Sequence, residues 1–269
     1  PISMRRFFFA NSQQLQPNTH VELTDDIYHH WCKVLRAKVG DEGILFDGTG
    51  GEYQVTLTEI GKKSAQVKVT SFTPINRSLP YNVTIGLVMS RGERMDYAVQ
   101  KATELGVSQI QLLTSQYSEV RLKPEQAAKK TEHWQQVAIA ACEQCGLNNV
   151  PQILPPMALN AWVNAQAQQI QVDKTDNVLS LVLAVPNQSD MVNATLQKIV
   201  AVMANADTDK ASQPRFDLLI GPEGGLSESE VELALSQGFL PWQIGDRVLR
   251  TETAPVVALA ALQTTFALR

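Results

Sequence analysis

The sequence predicts a two-part α/β protein: a small β-rich domain over residues 1–73, then a mostly parallel sheet with helices on both faces over residues 74–269. Three observations predict it. Residues 5–72 carry short runs with a two-residue apolar period, separated by glycine-bearing turns. Thr73-Pro74-Ile75-Asn76-Arg77-Ser78-Leu79-Pro80 then breaks the pattern with two prolines and reads as the domain boundary. Beyond it, apolar strands alternate with segments of helical spacing, as in strands joined by crossover helices.

In the first part, strands are expected at Arg6–Ala10, Gly43–Phe46, Glu52–Ile60 and Ser64–Phe72. Alternation is clearest at Tyr53, Val55, Leu57 and at Ala65, Val67, Val69, and Asp47–Gly51 and Gly61–Lys63 are spaced as hairpin turns of a small barrel. Asp25 or Asp26 is placed to cap a short helix bearing His29, His30, Trp31, Val34 and Leu35. In the second part, Val83–Met89 reads as a strand. Met95, Ala98, Val99, Ala102 and Leu105 recur at helical spacing, with Gly106 as the stop. Gln109–Leu113 is a strand and Pro124–Gly146 a long helix with Trp134, Val137, Ala138, Ala141 and Cys145 on one face. A strand at Leu179–Val185, a helix at Ser189–Asn205, a polar mobile loop at Asn205–Gln213 and a strand at Phe216–Ile220 continue the alternation. Thr253 can cap a last helix with Pro255 in its first turn, and that helix is apolar on most of its surface.

Composition narrows the class. With 44% apolar residues the chain can fill a sizeable core, and no apolar run approaches the ~18 residues of a membrane span. Arg5 and Arg6 lead into only Phe7–Ala10, too little for a secretory signal, and an odd count of 3 cysteines does not make a disulfide framework, so a reducing cytoplasm is expected. The net charge is −4, with 7 basic against 12 acidic groups over residues 151–269. A strongly basic nucleic-acid binder is excluded, and any RNA contact must come from local patches.

The stretch Ile220-Gly221-Pro222-Glu223-Gly224-Gly225 ends a strand abruptly, and Ser227 with Glu230 three residues on forms a capping box that starts a helix stopped by Gly238. Glycines there permit positive φ and let a ligand approach the backbone. In open α/β sheets that position, beyond a strand's carboxyl end, binds ligands. No Gly-Lys-Ser/Thr follows, so it is not a Walker phosphate loop, and its place late in the chain is not that of a dinucleotide fingerprint, which disfavours an oxidoreductase. Cys142-Glu143-Gln144-Cys145 has the spacing of a redox or zinc pair but lies inside a helical pattern with no second pair, and reads as core; no metal site is expected. His29 and His30 read as structural or interfacial. Arg5, Arg6, Lys33, Arg36 and Lys38 in the first domain, with Arg91, Arg94 and Lys101 in the second, are candidate RNA contacts if they share a face, and ordinary solvated charges if they do not.

The glycine loop, together with Ile244-Gly245-Asp246-Arg247-Val248-Leu249-Arg250-Thr251-Glu252-Thr253-Ala254, resembles the SPOUT methyltransferases with a trefoil knot, specifically the bacterial RsmE family. Met4–Phe8, Val34–Asp41, Arg94–Gly106 and Ala141–Gly146 fit the same pattern, so the resemblance covers nearly the whole chain. It implies S-adenosylmethionine-dependent methylation of N3 of a uridine in 16S ribosomal RNA, within the small ribosomal subunit, by a homodimer. It also implies a PUA-like β-barrel as the first domain. Cofactor contacts would come from Ala184 and Val185, from Ile220, Gly221, Pro222, Glu223, Gly224 and Gly225, and from Ile244, Gly245, Leu249, Arg250 and Thr251. Leu147, in place of a basic residue, and the weakly basic Gln116–Arg121 depart from the family pattern.

Uridine N3 carries a proton that leaves only above neutral pH, so the chemistry needs a proton acceptor or a cation that stabilises the uracil anion. Arg250 is the candidate cation. Glu223 or Glu252 is the candidate acceptor, or the group that orients Arg250. The alternative reading is a non-catalytic RNA-binding ribosome-assembly factor on the same fold.

Overall fold

The computed structural model describes residues 4–173, 177–183, 189–204 and 213–268. The chain divides into two compact units: residues up to Ser78 with Ile139–Val150, and Leu79–Ala138 with the chain from Pro151 onward. The sequence reading ended its first domain at residue 73 and did not foresee that residues 139–150 return to that unit.

The first unit holds β1 (Arg5–Phe8), β2 (His20–Glu22), α1 (Asp25–Tyr28), a π-helical turn over His29–Val34, β3 (Glu42–Phe46), β4 (Glu52–Ile60) and β5 (Ala65–Thr73). They form one sheet in the order β1-β3-β4-β5-β2, with β1 parallel to β3 and the other pairs antiparallel. Two register shifts between β4 and β5 bend that ribbon, as bulges do. Inside lie Phe7, Leu45, Val55, Leu57, Val67, Val69 and Trp31. The helix cap differs from the expectation: the cap position is Thr24 without a side-chain bond, and Asp25 and Asp26 sit in the first turn, where their charge complements the positive end of the helix. The first unit's extra segment contributes Cys142 and Leu147 to a small cluster with Phe46.

The second unit holds β6 (Asn82–Val88), α2 (Glu93–Glu104), β7 (Gln109–Thr114), α3 (Pro124–Cys145, whose last turns belong to the first unit), β8 (Gln152–Ala158), α4 (Leu159–Asp173), β9 (Val178–Leu183), α5 (Ser189–Ala204), β10 (Arg215–Ile220), α6 (Glu228–Ser236), β11 (Leu240–Trp242) and α7 (Thr253–Ala267). The six strands run parallel in the order β11-β9-β10-β6-β7-β8. Alternate residues build two cores. Phe216, Leu218 and Ile220 of β10 join Met95 of α2 and Leu259 of α7, whereas Leu219 joins Trp162 of α4 and Ala234 of α6. A Cβ at Gly86 would stand 2.5 Å from the Trp162 ring, so glycine there lets the indole lie against the sheet.

The sequence reading missed β8, α4, β2 and β11. Both β8 and β11 are edge strands carrying prolines, Pro155, Pro156 and Pro241, which a missing ladder bond allows only at an edge. In α7 the cap position is Glu252, not Thr253, which stands first in the helix. The expected loop at Asn205–Gln213 lies almost wholly outside the described residues.

Candidate active site

Because β9, β10 and β11 are neighbouring parallel strands, the segments that follow them leave the same edge of the sheet. After β10, Gly221, Pro222, Glu223, Gly224 and Gly225 lead into α6. Ser227 Oγ accepts from Glu230 N at 3.3 Å, and Glu230 Oε2 accepts from Ser227 N at 2.9 Å, the capping box read in the sequence. The other Glu230 oxygen accepts from Gln116 N at 2.8 Å, so one buried carboxylate ties the α6 start to the segment after β7. Of the loop glycines only Gly225 has positive φ, at 76°, with nothing within 4 Å of a Cβ placed there. Gly221 serves close packing instead: its Cβ would lie 2.9 Å from Leu226 Cγ. Gly224 packs against Tyr117.

Two adjoining pockets open here. One, of about 370 Å³, is lined by Ile220, Gly221, Pro222, Glu223 and Gly225 on one side and by Leu249, Arg250, Thr251 and Glu252 on the other, with Leu183 at the end of β9 and Arg94 of α2. The other, of about 260 Å³ and mostly apolar, is lined by Trp242, Ile244, Gly245, Val248 and Leu249, and shares Leu183, Gly225 and Ala254 with the first. The structure therefore joins nearly all the expected cofactor residues in one crevice. Gly224 lines neither pocket, and Ala184 and Val185 lie outside the described residues.

Charge within the crevice is unevenly committed. Arg94 Nη1 donates to Glu223 Oε1 at 2.6 Å, and that bond raises the guanidinium pKa further above its ordinary value. Glu223 is thus bound to Arg94 and does not orient Arg250, a correction to the sequence reading. Among the described residues Arg250 has no hydrogen-bonding or ion-pair partner for its side chain, while its carbonyl accepts from Thr253 N and Ala254 N in the first turn of α7. Glu252 Oε2 is buried and without a hydrogen-bond partner.

The expected RNA contacts separate into free and occupied cations. Arg6 is occupied: its guanidinium bonds Glu52 at 2.7 Å, Asn148 Oδ1 at 2.7 Å and Leu147 O at 3.0 Å, beneath Phe46. Burial pushes the Glu52 carboxyl up, but Asn148, Arg77 and Arg6 together hold it below its usual range. Arg6 is a structural residue of the first unit. Lys101 is likewise engaged by Glu104 at 3.0 Å, and Arg94 by Glu223. Arg5 lines a groove of the first unit with His30, Leu35 and Arg77, whereas Lys33, Arg36 and Lys38 are exposed outside its lining. Arg91 is exposed, with Glu119 3.6 Å away. Burial raises the Cys142 thiol to about 12, in line with core packing, and no cluster of three metal-ligating side chains occurs among the described residues.

A crevice of two adjoining pockets at the carboxyl edge of a parallel sheet, one carrying Arg94, Glu223, Arg250 and Glu252 and the other mostly apolar, has the position and lining of a ligand site in an α/β enzyme. The profile of the RNA methyltransferase domain matches residues 77–263, and that of the RNA methyltransferase PUA domain matches residues 23–70, which defines the class as a two-domain RNA methyltransferase. The relatives are ribosomal RNA small subunit methyltransferases E. One from Buchnera aphidicola (subsp. Schizaphis graminum) is 32% identical over 94% of this chain and 93% of its own, and one from Bacillus subtilis is 30% identical over 96% of each. The chain belongs to the ribosomal RNA small subunit methyltransferase E family. It is also similar in structure to a putative methyltransferase from Legionella pneumophila in complex with S-adenosylmethionine, with 32% identity, 98% of both chains covered and a TM-score of 0.81. The Neisseria gonorrhoeae methyltransferase E bound to the same cofactor gives 32%, 97% of both chains and 0.79.

Proposed function

We propose that this chain methylates N3 of a uridine in small-subunit (16S) ribosomal RNA, using S-adenosylmethionine. The observation that carries the reading is the coincidence, on one wall of the crevice, of an unpaired guanidinium, Arg250, and a buried carboxylate oxygen without a donor, Glu252 Oε2.

The residues fit the cofactor. The apolar pocket around Trp242, Ile244 and Leu249 suits an adenine ring, and the charged side chains of the pocket beside it suit a charged amino-acid end. The open face of Gly225, shared by both pockets, lets a ligand touch backbone. Ile220–Gly225 and Ile244–Thr251, with Ala184 and Val185, form the cofactor walls in this reading. The trefoil knot that the resemblance implies would thread the chain through these segments.

When bound, S-adenosylmethionine would supply an electrophilic methyl group to N3 and leave as S-adenosylhomocysteine. Glu252 accepts the N3 proton, and Arg250 stabilises the negative charge that develops on the uracil ring. Arg94 holds Glu223 at the pocket mouth, so Glu223 shapes the site. The crevice would hold the uracil between Arg250 and Glu252, the orientation on which the transfer depends. The exposed cations Arg5, Lys33, Arg36 and Lys38 of the first unit carry RNA backbone.

We also infer a homodimer in the cytoplasm. Leu196 and Val200 lie one turn apart on α5 and stay 48% and 45% exposed, and Val248 of the crevice loop is 97% exposed, apolar area that a second copy would cover. No helix among the described residues is long and apolar enough to cross a membrane. Mass mapping of ribosomal RNA from cells lacking the protein tests the reading: one uridine in the small-subunit RNA loses a methyl group. An unchanged RNA overturns it, and calorimetry without cofactor binding would leave the non-catalytic assembly factor.

A further inference from the structure

A second basic pocket lies on the other side of the α2 start and shares no lining residue with the cofactor crevice. It has a volume of about 310 Å³ and is lined by Ser90, Arg91, Gly92, Arg121 and Lys130, with Glu119 as its one acidic residue, over a floor that includes Trp134. Three features point to an anion. Arg121 and Lys130 are exposed and make no ion pair or hydrogen bond with their side chains among the described residues, so two cations face the space uncompensated. Ser90 is 5% exposed, yet its Oγ has no hydrogen-bond partner. Gly92 is the cap position of the 12-residue helix α2, with no side-chain capping bond and nothing within 4 Å of a Cβ placed there, so the first-turn N–H groups can be approached. Glu93 and Asp96 in that first turn oppose an anion, as does Glu119, which is 3.6 Å from Arg91. The pocket keeps a net positive lining of three cations against one carboxylate.

We propose that this pocket binds a phosphodiester of the RNA strand next to the target nucleotide, through Arg121, Lys130, the Ser90 hydroxyl and the N–H groups at the start of α2. The position in the chain favours a neighbouring phosphate: Arg91 of this pocket and Arg94 of the cofactor crevice stand on either side of the α2 cap at Gly92, so both sites flank one helix start. The inference rests on the RNA methyltransferase reading for the identity of the strand, and on the pocket alone for the anion.

The test is the affinity of the full chain for small-subunit ribosomal RNA over a range of KCl concentrations, compared with the double variant Arg121→Gln/Lys130→Gln. Both side chains are exposed, and an unchanged calorimetric affinity for S-adenosylmethionine certifies the fold of the variant. The variant is expected to bind about tenfold more weakly, with a slope of log affinity against log salt smaller by about 0.7, the value for one phosphate neutralised on a single strand. Equal affinity and slope would overturn the proposal. Inorganic phosphate titrated at constant ionic strength separates the sources: its binding to the native pocket with no change in the RNA slope would mean a free-anion site and also overturns the RNA assignment. Affinity is read without turnover, so a slope difference in a protein that transfers no methyl group would sink the methyltransferase reading and leave the pocket standing.

Discussion

Arg94 on α2 and Glu223 after β10 are 129 residues apart in sequence and meet at 2.6 Å on the wall of the crevice. Their side chains are 44% and 32% exposed, so solvent screens the pair and it contributes little to stability. Its effect lies in fixing the Glu223 loop. Arg94→Ala is expected to leave the thermal midpoint within a few degrees while weakening S-adenosylmethionine binding about tenfold, measured by calorimetry. Native affinity in that variant would separate the ion pair from the cofactor site.

Arg250 and Glu252 are assigned to the substrate rather than to the fold. Arg250→Ala should lower kcat at saturating cofactor by roughly 10²–10³, the range for removing one group that stabilises developing charge, over and above any loss of cofactor affinity. Arg250→Lys should recover part of the rate. Glu252→Gln should also lower kcat by about 10²-fold or more, because the amide cannot accept the proton. Single-turnover kinetics at saturating cofactor reads both effects, and a near-native rate in either variant removes that residue from the chemistry.

The two glycines of the loop fail for different reasons. Gly225→Ala places a side chain in a left-handed backbone at φ 76° with free space around it, a cost of about 1–2 kcal/mol. Gly221→Ala meets Leu226 Cγ at 2.9 Å and must displace the crevice wall. Denaturant unfolding should therefore show the larger loss of cofactor affinity per unit of stability in Gly221→Ala. The reverse order would mean that the wall is pliable.

Glu230 is 6% exposed and accepts from two backbone N–H groups, of Ser227 and Gln116. Glu230→Ala strands both donors and should cost about 2–4 kcal/mol, against about 1 kcal/mol for Ser227→Ala, which removes one cap bond. Urea midpoints with equal slopes measure the difference.

Asp217 in β10 is fully buried, and burial raises its carboxyl above the ordinary value of 3.8 despite the opposing pull of Arg215, whose Nη2 donates to it at 3.1 Å. Between 3.8 and the raised value the folded chain holds a proton that the unfolded chain has released, so stability falls as pH rises through that interval. Asp217→Asn should flatten this part of the stability profile. A slope identical to that of the native chain would show that Asp217 does not set it.

The sequence made legible what local rules govern. Ser227 and Glu230 announce a capping box because both partners lie within one turn, and Gly106 and Gly238 announce helix ends through left-handed caps, with φ of 88° and 91°. Strand alternation exposed β4 and β5, and short apolar runs exposed β6 and β10, whereas β8 and β11 hid behind prolines that only an edge position permits. Side-chain partners were not legible. Arg6 looked as available as Arg5 until Glu52 and Asn148 closed around it, and Arg94 looked like a surface cation until Glu223 met it. Arg121 was read only as part of a weakly basic segment and Lys130 not at all, because nothing local marks two cations nine residues apart as lining one pocket.

The most direct test of the account is transfer of a labelled methyl group from S-adenosylmethionine to small-subunit ribosomal RNA by the purified full chain, followed by mass analysis of the nucleosides. The account predicts label at N3 of one uridine, abolished with Arg250→Ala and Glu252→Gln. Label on another atom, or none at all with the cofactor bound, would contradict it.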